Sequence, residues 1–394
     1  MSASQWAKAV TLLAFVGGCS AESPDESAKV MSDELRADVS RFAVTRALMP
    51  VDLPLPAGVA AVSDAIFVGS PFEGRVLAYS SLTKQLLGEL PPPAQGFALP
   101  FIVKAVKGDR VAVLDAGGFP SPEPFIPANP TIYEYSFRQQ PHGGFSATLE
   151  RSVPFAGALI GFSEDFIQLD DGRYLVTDAV LGSIWIAEAD GTVRPGLVPR
   201  SFEPSDAIPE TYFCNTMPVI DVGGLPFLFT ASTVPGITAM AARQGQLYFS
   251  ASCAGAVYSL PLASLSDARE PWQRAADIEL VSAKPAGVEV EELLGVTFDP
   301  RDPHDPYLYA ADALQLRVIR IDVRNGRRSV VADDATLLNF PSSLAFAPTP
   351  SGHGAPSTLL ALSNQQHRTV ALNDAIAEDV LQPPFLVTQM RLLH

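Results

Sequence analysis

The chain has 394 residues, enough for two or three ordinary domains or one large repeat fold. A hydrophobic content of 47 % and a mean hydropathy of +0.18 supply a sizeable core and exclude global disorder. Forty-three acidic against 27 basic residues give a net charge of −16, which excludes the basic face of a nucleic-acid binder, and no apolar run reaches the ~18–20 residues of a membrane helix.

The N-terminus reads as an address. Lys8 precedes a short apolar stretch, Ala9 to Val16, and then Val16-Gly17-Gly18-Cys19. This is the order of a bacterial secretory signal. It resembles a lipoprotein signal, in which small residues precede a cysteine that is cleaved before and acylated. Residues 1–18 are therefore expected to be signal peptide and Cys19 the lipidation site. Residues 19–40, polar and acidic, suit a flexible tether. The implied location is the bacterial cell envelope, periplasmic or surface-exposed, with membrane contact only through the lipid. Three cysteines occur, at 19, 214 and 253. With Cys19 acylated, an even pair is left in an oxidising compartment, either bridged as Cys214–Cys253 or buried as free thiols.

From residue 41 to 394 a repeat sets in. Apolar strands end in a small or acidic residue, a short loop follows, and a second β-rich strand begins. The pairs Ser70 and Val76, Asp178 and Ile184, Ala251 and Val257, Asp312 and Val318, and Asn364 and Val370 share an offset of six, whereas Asp115 and Ile132 are separated by seventeen. The strands (AIFVGS, VAVLDA, YLVTDA, LYFSAS, LYAADA, LALSN) and their partners are β-branched and aromatic. A preceding strand begins near Val59, Phe101, Phe166, Ile237, Val296 and Leu344. A fourth follows in places, as in KQLLGEL and RRSVVAD. Six four-stranded units predict an all-β, six-bladed β-propeller, with residues 41–56 supplying a strand that closes the ring on the last blade. Two stacked β-sandwiches would leave the recurring offset unexplained.

Three stretches carry a family likeness. GFSEDFIQLDDGRYLVTDAVLGSIWIAEADG (161–191), GITAMAARQGQLYFSASCAGAVYSLPL (236–262) and GVTFDPRDPHDPYLYAADALQLRVIRIDVRNG (295–326) resemble the senescence-marker-protein (SMP-30)/gluconolactonase-like propellers. There is some likeness to strictosidine-synthase-like and insect yellow/royal-jelly propellers too. The resemblance covers roughly residues 55–372. It implies the six-bladed architecture and leaves the reaction open, because such proteins include calcium-dependent lactonases and esterases, condensing enzymes, metal-free cyclases and proteins without known catalysis.

In such propellers the first strand of each blade starts at one face, and the loop between the second and third strands returns to it. That geometry gathers Glu164, Asp165, Asp178, Asp312, Thr238, Ser342, Ser343, Asn364 and His367 around one mouth. It also places Cys253 and the connection bearing Cys214 there, which favours the bridge. Residues 116–130 and about 200–235 are long connections of the kind that form lids or binding loops, or that shield blade edges.

Calcium needs six to eight oxygen ligands, usually with several carboxylates. The calcium-dependent relatives place Glu, Asn and Asp at blade entries. Here Glu164 stands where an entry Asn is expected, Thr238 replaces another Asn, and the remaining entries are Gly58-Val59, Pro100-Phe101, Leu294-Gly295-Val296 and Ser342-Ser343. Beside Glu164, a metal would need ligands from Asp178, Asp312 or Glu73. The strand-end acids equally suit acceptance of backbone N–H groups in tight turns. Glu164, Asp165 and His367 are the catalytic candidates, His367 as a general base. GxSxG, HExxH, GxGxxG and CxxC signatures are absent.

The sequence thus predicts a monomeric, lipid-anchored propeller that binds a small ligand or a protein partner at the channel mouth. The alternative is a calcium-dependent lactonase or esterase, in which a cation held partly by Glu164 and Asp165 polarises a carbonyl.

Overall fold

The computed structural model describes residues 42–43, 49–51, 53–118, 127–140, 144–199, 219–228, 236–251, 254–288, 290–347 and 357–392. Five sheets are four-stranded meanders in which consecutive strands pair antiparallel. The first blade comprises Val59–Val62, Ala65–Ser70, Arg75–Ser80 and Leu86–Glu89. The second comprises Pro100–Val106, Arg110–Asp115, Thr131–Gln139 and Phe145–Pro154. The third runs through Phe166–Gln168, Tyr174–Thr177, Ile184–Ala187 and Val193–Leu197. The fourth uses Ile237–Arg243, Gln246–Ala251, Val257–Pro261 and Glu279–Ser282, and the fifth Leu293–Phe298, Tyr307–Asp312, Arg317–Asp322 and Arg328–Asp333.

The sixth blade closes the ring. Its strands Pro341–Ala347, Ser357–Ser363 and Phe385–Leu392 are completed by Phe42–Ala43 and Met49–Val51, both paired to the last of them. N-terminal chain therefore supplies the outer strand of the C-terminal blade, as the sequence predicted.

The offset of six is a register. Gly69 pairs with Val76, Thr177 with Ile184, Ser250 with Val257 and Ala311 with Val318. Leu114 pairs with Ile132 across the longer loop. The sixth case is corrected. Val370 is not the start of a strand. The third strand of blade six is Phe385–Leu392, which pairs with Ser357–Ser363 at seven positions. FLVTQMRL is β-branched and apolar at alternate positions, whereas 369–384 is rich in Asn, Asp and Pro and forms turns.

A lone blade would leave both faces wet, and the core shows how the ring removes them. Six hydrophobic clusters lie one to each seam between neighbouring blades. Leu175, Ile186, Met240 and Phe249 join blades three and four, and Val59, Val68, Leu362 and Val387 join six and one. Inner strands approach so closely that a Cβ on Gly58 would lie 2.4 Å from the backbone nitrogen of Val103. One on Gly236 would lie 1.8 Å from the carbonyl oxygen of Ala179. A short hairpin, Ile220–Val222 with Leu225–Phe227, belongs to the connection between blades three and four. It covers a seventh cluster with Val290, Leu314 and Phe340. Cys19, Cys214 and Cys253 lie outside the described residues, as do all of residues 1–18, expected to be signal peptide, and 19–40, the expected tether.

Candidate functional site at the channel mouth

Four inner strands carry a β-bulge at their second residue. Pairing skips Phe101 in blade two, Thr238 in blade four, Leu294 in blade five and Ser342 in blade six. A bulge leaves one residue out of the ladder and turns its side chain. All four bulged residues line one small axial pocket, together with Ala57, Ile102, Glu164, Asn364 and Gln366. Glu164 occupies the same position in blade three. It sits between Asp165, whose N–H donates to Thr177 Oγ1 at 2.9 Å, and the turn in which Ala179 N donates to Phe162 O. All six blades therefore contribute to the pocket: Phe101, Glu164, Thr238, Leu294 and Ser342 come from entries singled out in the sequence, whereas blade one contributes Ala57 in place of the expected Gly58-Val59. The cavity is about 20 Å³, room for one water or an atom group of that size.

Glu164 is the only charged residue in that lining among the described residues. Its Oε2 is buried without a hydrogen-bond partner among the described residues, and so is Oε1 of Gln366. Burial, reinforced by the neighbouring charge of Asp165, pushes the Glu164 carboxyl up to about 8. It is neutral at pH 7 unless something positive joins it.

The other expected acids are engaged elsewhere. Asp165 is buried in the seam. Its Oδ1 lies 2.6 Å from Lys104 Nζ and accepts from Phe166 N at 2.8 Å, and its Oδ2 accepts from Met240 N at 2.8 Å. It ties blades two, three and four together and does not line the pocket. Asp178 accepts the N–H groups of Gly161, Phe162, Val180 and Leu181 and the hydroxyl of Ser183 at 2.9–3.3 Å. Asp115 does the same for Ala98, Leu99 and Gly117. These two strand-end acids hold turns closed, the backbone role their positions suit.

Asp312 departs from that pattern. Arg317 Nε meets its Oδ2 at 2.8 Å, and Arg317 Nη2 lies 3.3 Å from Glu291, which Arg328 also contacts. Burial and the adjacent Glu291 hold the Asp312 carboxyl well above its usual range, against the pull of Arg317. Sequence reasoning did not single out Glu291, Arg317 or Arg328, since nothing in their local pattern marks them.

His367 is corrected as a base at the mouth. The short 3₁₀ turn Gln366–Arg368 turns it inward, and it is fully buried. Its ring stacks on Phe340 with centroids 5.4 Å apart, and neither ring nitrogen has a partner among the described residues. Burial, with some repulsion from Arg368, pushes it down to about 3, so it is neutral at physiological pH. Its neighbour Gln366 takes the place at the pocket. That residue was missed, and its signal was its position two residues after Asn364 at a strand end.

Glu164, Asp178 and Asp312 are therefore not brought together around one point. One carboxylate is in the pocket, one is saturated by five protein donors, and one is paired with a guanidinium. Among the described residues no three His, Cys, Asp or Glu side chains converge to hold a metal. No helix among them is long and apolar enough to cross a membrane.

No family model and no curated protein matches this sequence. Solved structures do. The chain is similar to gluconolactonase-type propellers. A gluconolactonase from Xanthomonas campestris is 13 % identical over 90 % of this chain and 96 % of that one, with a TM-score of 0.48. The calcium-binding protein regucalcin from Agrobacterium tumefaciens is 14 % identical over 87 % and 92 %, with a TM-score of 0.49. A virginiamycin B lyase from Staphylococcus aureus is 10 % identical over 88 % and 100 %, with a TM-score of 0.46. The likeness is loose. The six-bladed architecture rests on the strand pairing above, and no residue's role is transferred from these proteins.

Proposed function

We propose that this propeller is a binding protein that takes a small ligand at the axial mouth and performs no chemistry there. The observation that carries the reading is the unpartnered Glu164 oxygen at the point where all six blades meet. A buried polar group without a partner costs free energy, and a ligand that satisfies it recovers that cost. Among the described residues the lining is otherwise apolar or neutral, without a basic side chain to stabilise an oxyanion. Anchoring to the cell envelope through Cys19 belongs to the same proposal. Incorporation of labelled palmitate, abolished by Cys19→Ser, is the expected result.

The alternative, a calcium-dependent lactonase or esterase, needs ligands that are bound up in turns and ion pairs, so no catalytic step is derived through a metal. A calcium titration by calorimetry, with δ-gluconolactone and phenyl acetate hydrolysis followed in parallel, separates the two. No calcium-dependent hydrolysis of either ester is expected. Calcium-dependent turnover lost in Glu164→Gln would overturn the proposal.

A further inference from the structure

We propose that the axial pocket seats an ammonium group, and that its ligand is a small organic amine whose apolar body lies against Phe101, Ile102 and Leu294. This deepens the reading of the mouth as a binding site and rests on it. The charge arithmetic of the lining comes first. Among the described residues, Glu164 is the single ionisable side chain there, and no Lys, Arg or His shares the pocket. Lys104, on the same inner strand as Phe101, is committed to Asp165 Oδ1 at 2.6 Å and faces Met240 O at 3.4 Å. Nothing in the described lining neutralises an ionised Glu164. The pocket therefore rejects anions and holds either a proton or a cation.

The hydrogen-bond inventory narrows the cation. Glu164 Oε2 and Gln366 Oε1 are buried acceptors awaiting donors. Thr238 and Ser342 turn their hydroxyls toward backbone carbonyls, Leu293 O at 3.4 Å and Leu362 O at 3.5 Å, which leaves their oxygen lone pairs free to accept. An ammonium presents three donors and no acceptor, and matches such a set. Calcium asks for six to eight oxygens with several charged ones, and one carboxylate does not meet that demand.

Size and surroundings agree. About 20 Å³ admits a group the size of one water, which an ammonium is and a sugar ring is not. Phe101, held edge-on to Phe162 at 5.1 Å between centroids, gives the cation an aromatic neighbour, and Ile102 and Leu294 give its carbon chain an apolar wall. The net charge of −16 draws cations towards the protein at low salt. Because the Glu164 carboxyl holds its proton up to about pH 8, an ammonium must displace that proton below this pH.

The test is calorimetric titration of the full-length chain with phenethylammonium chloride, its neutral counterpart 2-phenylethanol, and calcium chloride. The variants are Glu164→Gln, which keeps shape and removes charge, and Leu294→Trp, which blocks the pocket, each checked by circular dichroism for the native β-signature. At about pH 9 the amine should bind at least ~10-fold more tightly than the alcohol, and Glu164→Gln should erase that preference. At about pH 6 the amine should bind ~10-fold more weakly, with close to one proton released per amine, read from titrations in two buffers of different ionisation enthalpy. Equal binding of amine and alcohol, both blocked by Leu294→Trp, would overturn the ammonium while leaving the mouth as a binding site. Calcium displacing the amine at micromolar concentration would replace the organic cation with a metal. Amine binding untouched by Leu294→Trp, or no binding of either organic probe at millimolar concentration, would overturn the mouth reading as well.

Discussion

Lys104 Nζ lies 2.6 Å from Asp165 Oδ1 across the seam between blades two and three, and that contact separates the fates of two adjacent acids. Asp165 is paired with a cation and two backbone amides. Glu164, one residue earlier, projects into the axial pocket with an oxygen that nothing in the described structure meets. Lys104 neutralises the structural acid and leaves the pocket acid alone.

Replacing Lys104 with Met should therefore leave Asp165 as an uncompensated buried charge. A loss of about 2–4 kcal/mol in urea unfolding is expected, the lower part of the usual range because Lys104 is partly exposed. Combining it with Asp165→Asn should recover a substantial share of the loss, because the unpaired charge is then gone. Equal losses in the single and double variants would show that the pair contributes nothing.

Glu164 should imprint a pH dependence on stability. Its carboxyl is raised from the ordinary value of 4.5 to about 8 in the folded chain. Between those pH values the folded state binds a proton that the unfolded state has released, so stability falls as pH rises, by at most about 1.4 kcal/mol per unit. Glu164→Gln should remove that fall. Thermal unfolding followed from pH 6.5 to 8 should show the variant gaining on the parent as pH rises, and parallel curves would place the raised carboxyl elsewhere.

His367 should act with the opposite sign. Its ring is held neutral down to about 3 in the folded chain, whereas the unfolded ring takes a proton below about 6.5. Stability is therefore complete above pH 6.5 and is lost as pH falls towards 3. His367→Phe, which keeps the stack on Phe340, should change stability at pH 7 by less than about 1.5 kcal/mol and soften the acid limb. Ligand binding at the mouth should be unchanged, since His367 does not line the pocket; a weakened titration would restore it as a site residue.

Asp178→Ala should unfold the chain more easily by about 3 kcal/mol, because it strands four backbone N–H groups and a serine hydroxyl in a buried turn. Asp178→Asn, which keeps one acceptor, should lose less. Neither variant should respond to added calcium in a melting experiment, whereas a metal ligand would lose a calcium-dependent rise.

Much of this molecule was legible in its sequence because a propeller repeats. The offset between a strand end and the next inward residue fixed five of the six central pairings. It failed in blade six, where turns between Thr369 and Pro384 move the third strand to Phe385–Leu392 and a chance apolar Val370 imitated the pattern. The entries Glu164, Thr238, Leu294 and Ser342 were also legible, because each stands at or near the start of a blade's first strand, a position that the repeat marks. His367 and Gln366 were confused, because a single 3₁₀ turn decides which of two neighbours points inward.

By itself the sequence determined the all-β repeat, the number of blades, the closing N-terminal strand and where the blade entries fall, because these follow from local periodicity and chain order. Tertiary structure alone decided which acids are free. Asp165, Asp178 and Asp312 carry the same functional group as Glu164, but their partners Lys104, Gly161 and Arg317 are brought to them by neighbouring strands, loops and blade seams. A carboxylate's chemistry is set by what surrounds it within a few ångströms, and that environment forms only when the ring closes.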